Sequence, residues 1–193
     1  ACALASVYLQ LDECEKLLEN FFAAYPDLKT HIGHYKRFVQ DNGCAVSITG
    51  RVRIFEEVFS DDKQRINKAL RSGYNHLIQS TASDMMLFSL IAIERLMEDY
   101  QLESKLICTV HDSLVIDAIT DELPQVHEIC DSVFKNMPDV ISTLVPGFDT
   151  SWCIVPFDCD HEVGYNYMDA VKVPKRNVDW DDISAGMKKL VKH

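Results

Sequence analysis

The stretch LICTVHDSLVIDAI, Leu106 to Ile119, sets two apolar runs on either side of a bare polar triplet, His111-Asp112-Ser113. Two runs of strand length separated by so short a polar step predict an antiparallel hairpin that turns at the triplet. A carboxylate at a tight turn between buried strands projects into solvent from a rigid support, which suits a hard cation such as magnesium. A turn aspartate also bonds its own backbone and steadies a hairpin with no ligand at all, so the triplet by itself leaves both roles open.

The flanking segments predict helices around that hairpin. Leu11, Cys14, Leu17, Leu18 and Phe21 recur at helical spacing up to Pro26, where a second helix starts with proline in its first turn and carries Leu28, Ile32, Tyr35 and Val39 as far as Asn42-Gly43. CAVSITGRVRIF reads as a short hairpin around Gly50. Ser60-Asp61-Asp62 then offers capping residues and first-turn acids to a long helix reaching about Tyr100, with Ser72-Gly73 as a candidate kink. Beyond the central hairpin, Val126, Ile129 and Val133 place a helix over Pro124 to Met137, and SWCIVPFDCDHEVGYNY reads as extended. The expected fold class is α+β, an antiparallel sheet packed on helices and preceded by a helical segment. Residues from 172 onward, with Pro174 and the acidic DWDD, form an expected peripheral appendage.

Composition narrows the function classes. With 193 residues, 47% hydrophobic and 25% charged, the chain has the make-up of an ordinary globular protein. Its net charge of -11 opposes general attraction to phosphate or anionic lipid, so any nucleic-acid contact must be local or depend on another chain. No run approaches the roughly 18 apolar residues of a membrane span, and the opening ACALASVYLQLDE lacks the pattern of a signal peptide. A soluble, cytoplasmic protein is expected. Seven cysteines at 2, 14, 44, 108, 130, 153 and 159, with no CxxC, point to reduced thiols. His31, His34, Cys159 and His161 are candidate ligands of an unrelated metal-binding module, but His31 and His34 have no second tight pair beside them.

The long helix carries the second chemical signal. Arg71, Asn75, Gln79 and Ser83 recur every four residues and form one polar stripe, with Leu77, Met85 and Leu87 placed around the helix from them and Ile78 and Met86 at the flanks. A solvated face explains most polar stripes, yet lysine and glutamate serve solubility better than arginine and amides. Arginine and amides donate to the base-edge acceptors and sugar oxygens of a nucleic-acid minor groove.

These residues resemble a known family. RSGYNHLIQSTASDMM is similar to the family A DNA polymerase helix R-x-x-x-N-x-x-x-Q-G-x-A-A-D, and VHDSLVID to their motif C, V-H-D-E-L-V-x-E. FFAAYP, SITGRVR and VPFDCDHEVGYNY resemble, in the same order, F-F-x-x-Y-P, T-x-x-G-R-x-R and the closing strand V-P-x-x-V-x-x-x-x-G-x-x-W. Together the five motifs cover roughly residues 1 to 170 and fit a polymerase of bacteriophage type, which places the protein in the host cell cytoplasm if the gene is viral.

The resemblance implies roles for individual residues. Asp112 would be a ligand of the catalytic Mg²⁺ pair, and His111 would lie beside the primer terminus. Arg71, Asn75 and Gln79 would line the minor groove of the new base pair, while Arg51 and Arg53 would lie near the template strand. Residues 1–60 would be the remaining part of the fingers with a connecting hairpin, 61–171 the palm, and 172–193 the appendage. Ser113 departs from the usual glutamate in a form also seen in single-subunit RNA polymerases, and Ser80 and Ser83 replace glycine and alanine.

Two-metal phosphoryl transfer needs several oxygen ligands, and neither the motif A pattern D-Y-S-Q-I-E nor the nucleotide-holding helix N-F-G-x-x-Y-G is present. The resemblance therefore implies a C-terminal portion of a split DNA polymerase, acting on primer-template DNA and dNTP with an N-terminal fragment or subunit that completes the two-ion site. Exposed apolar surface would drive that association. A non-catalytic palm-like DNA-binding subunit and a single-subunit RNA polymerase fragment are the alternatives.

Overall fold

The computed structural model describes residues 11–190; Cys2, most of the opening stretch read for a leader, and the last three residues lie outside the described residues. The chain forms two compact units that divide between Ala82 and Ser83.

The first unit begins with α1 (Leu11–Ala24) and α2 (Pro26–Asn42), separated where Pro26 starts the second helix. Gly43 ends α2 at φ +64°, its amide bonding Val39 O at 2.9 Å, which is the left-handed cap that glycine accepts without penalty. β1 (Cys44–Val46) and β2 (Val52–Ile54) pair antiparallel around Gly50, with Ala45 opposite Arg53. Val39, Ala45, Phe55, Val58 and Ala69 form the core, with Tyr35 and Leu70 packed against it. Tyr35 fastens α2 to β1, since its hydroxyl donates to Val46 O at 2.6 Å and accepts from Val46 N at 2.9 Å.

α3 (Lys63–Asp99) is a single 37-residue helix that starts as expected, with Asp62 Oδ1 accepting the Gln64 amide at 2.8 Å. It runs unbroken through Ser72-Gly73. Gly73 serves close packing instead: a Cβ there would stand 2.9 and 3.0 Å from the γ carbons of the fully buried Val39. By length and composition alone α3 could cross a membrane. In the structure its Ala69, Leu77, Met85, Ile93 and Met97 are buried in protein.

In the second unit α3 stops in a Schellman motif, the amides of Gln101 and Leu102 bonding Glu98 O and Met97 O at 2.9 Å, with Gln101 at φ +56°. β3 (Lys105–Val110) and β4 (Ser113–Asp117) form the central hairpin, with a register shift between Leu106 and Cys108. α4 (Leu123–Lys135) and α5 (Met137–Leu144) follow. The single helix expected to reach Met137 breaks at Asn136, because Pro138 lacks an amide proton and begins a new helix. Val126, Ile129, Cys130 and Val133 of α4 join Ile93 and Met97 in the main core, and Leu106, Leu114 and Ile116 pack onto it.

β5 (His161–Gly164) pairs with β6 (Ala170–Val173), and α6 (Trp180–Leu190) buries Ile183 and Met187 against Val173. The class is α+β, as expected, but the strands among the described residues form three separate two-stranded hairpins rather than one sheet. Each closes on its sequence neighbour through a short connection, the least costly pairing in loop entropy.

Glu122 clamps the base of the central hairpin. Its Oε1 accepts the Glu103 amide at 2.9 Å, and its Oε2 accepts the Ser104 amide at 2.8 Å and the Ser104 hydroxyl at 2.5 Å. The Ser104 oxygen in turn accepts the Ile119 amide at 3.0 Å, joining the two ends of the hairpin. The Ser104 hydroxyl and the two amides hold the Glu122 carboxyl below its ordinary value.

Two outcomes are expected. Gly73→Ala gains about 1 kcal/mol of helix propensity but meets Val39, and overpacking at about 1–3 kcal/mol outweighs it. The urea midpoint should fall, and in a Val39→Ala background the same change should raise it; equal losses in both would exclude the contact as the cause. For Glu122, a folded pKa below the unfolded one means stability present above the ordinary glutamate range and lost as pH falls through the folded value. Glu122→Gln should lower the urea midpoint at pH 7, and the gap from wild type should shrink toward pH 3; a gap independent of pH would refute the clamp.

Candidate functional site

β3 and β4 pair up to Val110 opposite Ser113, so His111 and Asp112 are the whole loop. His111 sits at φ +56°, the sign that primed two-residue turns require at their first position. A histidine held there costs on the order of 1 kcal/mol or more relative to glycine, strain of the kind that gathers at functional positions. Both side chains are exposed at the tip.

The expectation of two buried strands needs correction. Leu106, Leu114 and Ile116 pack inward, but Ile107 is 59% exposed and Cys108, Thr109 and Val110 are also exposed. A two-stranded hairpin has a second face, and no other strand among the described residues pairs with this one. The loop's donors are the Asp112 carboxylate and the neighbouring Ser113 hydroxyl, oxygen groups that fit a hard cation but are too few to enclose one.

In the first unit, Arg71, Asn75 and Gln79 are exposed along α3, with Gly73, Leu77 and Ser80 buried behind them. Met85 is buried as expected, whereas Leu87 is 44% and Ile78 is 55% exposed. Leu87 lies four residues beyond Ser83 and therefore continues the stripe's own row instead of opposing it. The buried Ser80 hydroxyl donates to His76 O at 2.6 Å, which satisfies a polar group where the family pattern has glycine. Arg51 and Arg53 are exposed on the β1–β2 hairpin. His76 Nε2 lies 3.2 Å from Arg51 O and ties that hairpin to α3 beside Asn75, and the Arg53 guanidinium sits 5.0 Å over the Phe55 ring.

Of the four residues considered for a metal module, only two meet. Cys159 Sγ and His161 Nε2 are 3.1 Å apart, and Asp131 of α4 joins them, with all three donor atoms within 4.8 Å of one another. His31 instead packs its ring on Tyr35 and Tyr74. Burial, followed by the charges of Asp131 and Asp158, pushes the Cys159 thiol up to about 11, and burial pushes Cys130 to about 12. Burial, and then His127, lowers His161. Sequence reasoning missed Asp131 and His127; their i, i+4 spacing on one helix face was the available signal.

The model of DNA polymerase family A matches residues 3–169. The DNA polymerase of Bacillus phage SP01 is 30% identical over 168 residues, 87% of this chain and 18% of that protein. DNA polymerase I of Caldicellulosiruptor bescii is 29% identical over 134 residues, 69% of this chain and 15% of that protein. The chain thus spans under a fifth of the length of these relatives. The POL domain of Pol1 from M. smegmatis, solved in complex with DNA primer-template and dNTP, shares the fold with a TM-score of 0.63 at 21% identity, over 66% of this chain and 23% of that one. With motifs in the family's order and a family match over most of its length, the chain belongs to DNA polymerase family A.

Proposed function

We propose that this chain supplies the motif C loop and the minor-groove helix of a DNA-directed DNA polymerase, in the cytoplasm and in that of a host cell if the gene is viral. The observation that carries this reading is the strained two-residue loop that holds His111 and Asp112 exposed on a clamped hairpin. Asp112 holds Mg²⁺, together with carboxylates of a motif A supplied by polypeptide outside these 193 residues. When bound, the metal supplies charge stabilisation to nucleotidyl transfer. His111 packs beside the primer terminus, and the fixed turn sets the direction of both side chains.

Arg71, Asn75 and Gln79 donate to minor-groove acceptors, which A·T and G·C pairs both present. Such contacts test the shape of a pair without reading its identity. Arg51 and Arg53 bind the template backbone, where charge positions the strand and carries no sequence information. The exposed apolar face at Ile107 and Val110 is covered by the completing polypeptide, and primer-template DNA and dNTP bind the assembled enzyme.

In the complete polymerase, Asp112→Asn should leave DNA binding nearly intact and slow single-nucleotide incorporation by about a thousandfold or more, as loss of several kcal/mol of charge stabilisation requires. Turnover close to wild type would end the catalytic assignment. Gln79→Ala and Arg71→Ala should weaken primer-template positioning and change the ratio of matched to mismatched extension, measured by primer extension on paired substrates. An unchanged ratio in both variants would remove the minor-groove role.

A further inference from the structure

Cys159 and His161 flank the start of β5, and Asp131 faces them from α4, with donor atoms between 3.1 Å and 4.8 Å apart. Zinc bonds of about 2.0–2.3 Å in a tetrahedron set donors roughly 3.3–3.8 Å apart, so small side-chain adjustments suffice. Beside them stands His127, one helical turn before Asp131, its ring centroid 4.3 Å from that of His161. Its Nδ1 is buried and has no hydrogen-bond partner, the single such side-chain atom among the described residues. His127 stands next to the three grouped donors and is not one of them, so the cluster has a second imidazole at its edge.

We propose that Asp131, Cys159 and His161 bind a Zn²⁺ ion that staples β5 to α4, with His127 beside the ligands. One thiolate, one imidazole and one carboxylate, with water as the fourth ligand, are the borderline-soft donor set zinc selects and magnesium does not. A thiolate and a carboxylate together neutralise the ion, and the Asp131 carboxylate is already oriented by Lys135 at 2.6 Å. Asp131 comes from α4 in the main core, and Cys159 and His161 come from the opening of the β5–β6 hairpin. Zinc here is structural, and it is separate in residues and in donor chemistry from the oxygen donors of the Asp112 loop.

The purified full chain, stripped of metal, is titrated with Co²⁺ and then Zn²⁺. One equivalent of Co²⁺ should saturate the site at micromolar concentration, giving the visible bands of tetrahedral cobalt and a thiolate band in the near ultraviolet, both removed by Zn²⁺. Cys159→Ser should abolish the thiolate band, and Cys108→Ser, at an exposed cysteine, should leave it. His161→Ala should weaken Zn²⁺ binding by well over tenfold, and His127→Ala, at a neighbour of a ligand, by about tenfold. Zn²⁺ should raise the melting temperature of the wild type but not of Cys159→Ser. Absence of saturable binding by the wild type, or a thiolate band that survives Cys159→Ser, would overturn the site, and neither readout depends on nucleotide incorporation.

Discussion

The burial of Ala69, Gly73 and Leu77 along α3 is the constraint on which the first unit depends. Ala69 joins the core beneath the β1–β2 hairpin, while Met85, Ile93 and Met97 enter the cores of the second unit. Within the first unit, α3 cannot rotate about its axis without exposing Ala69 and Leu77, at about 25 cal/mol per Å². Its polar row is fixed by the same commitment. Arg71, Asn75 and Gln79 therefore face outward because of what Gly73 and Leu77 do behind them, not through contacts of their own.

What was legible in the sequence was local. The Ser60-Asp62 cap, the Pro26 start, the Gly43 stop and the hairpin turn at His111-Asp112 each depend on residues a few positions apart, and each stands where the pattern placed it. What was not legible depends on distant partners. Gly73 looks like a helix breaker until Val39 is seen against it. Leu87 looks like a core residue until the helix row is carried past Ser83. Asp131 and Cys159 meet only because α4 and β5 pack together, and no spacing rule reports that. His111 has neither the glycine nor the asparagine that announces a left-handed turn; only the short loop between paired strands requires it.

The second unit separates two donor chemistries. At the exposed tip, carboxylate and hydroxyl oxygens meet water freely, which favours a cation that keeps part of its hydration shell. Between α4 and β5, half-buried sulfur and nitrogen donors are drier, and burial holds both thiols protonated well above neutrality, Cys159 at about 11 and Cys130 at about 12. A proton on Cys159 must leave before a metal can bind there, which makes that pocket selective for ions that compete well for thiolate. Hard and borderline-soft ions would thus divide between the two places by chemistry alone.

The acidic balance of the chain bears on how it could take part in DNA binding. Thirty acidic against nineteen basic side chains give little net counterion release, and each phosphate neutralised contributes only about 0.9 to the logarithmic salt slope. Two of the three groups on the proposed groove-facing row, Asn75 and Gln79, carry no charge. Hydrogen bonds from such groups to a minor groove would respond to the position of acceptors and hardly at all to ionic strength. On the proposed role, bulk affinity for the duplex would come from the remainder of the polymerase, and this segment would contribute discrimination. The arrangement is physically consistent: a surface that bound phosphate strongly would hold matched and mismatched ends alike, because phosphates look the same in both. Weak, directional donors on a helix that cannot rotate are better placed to tell the two apart.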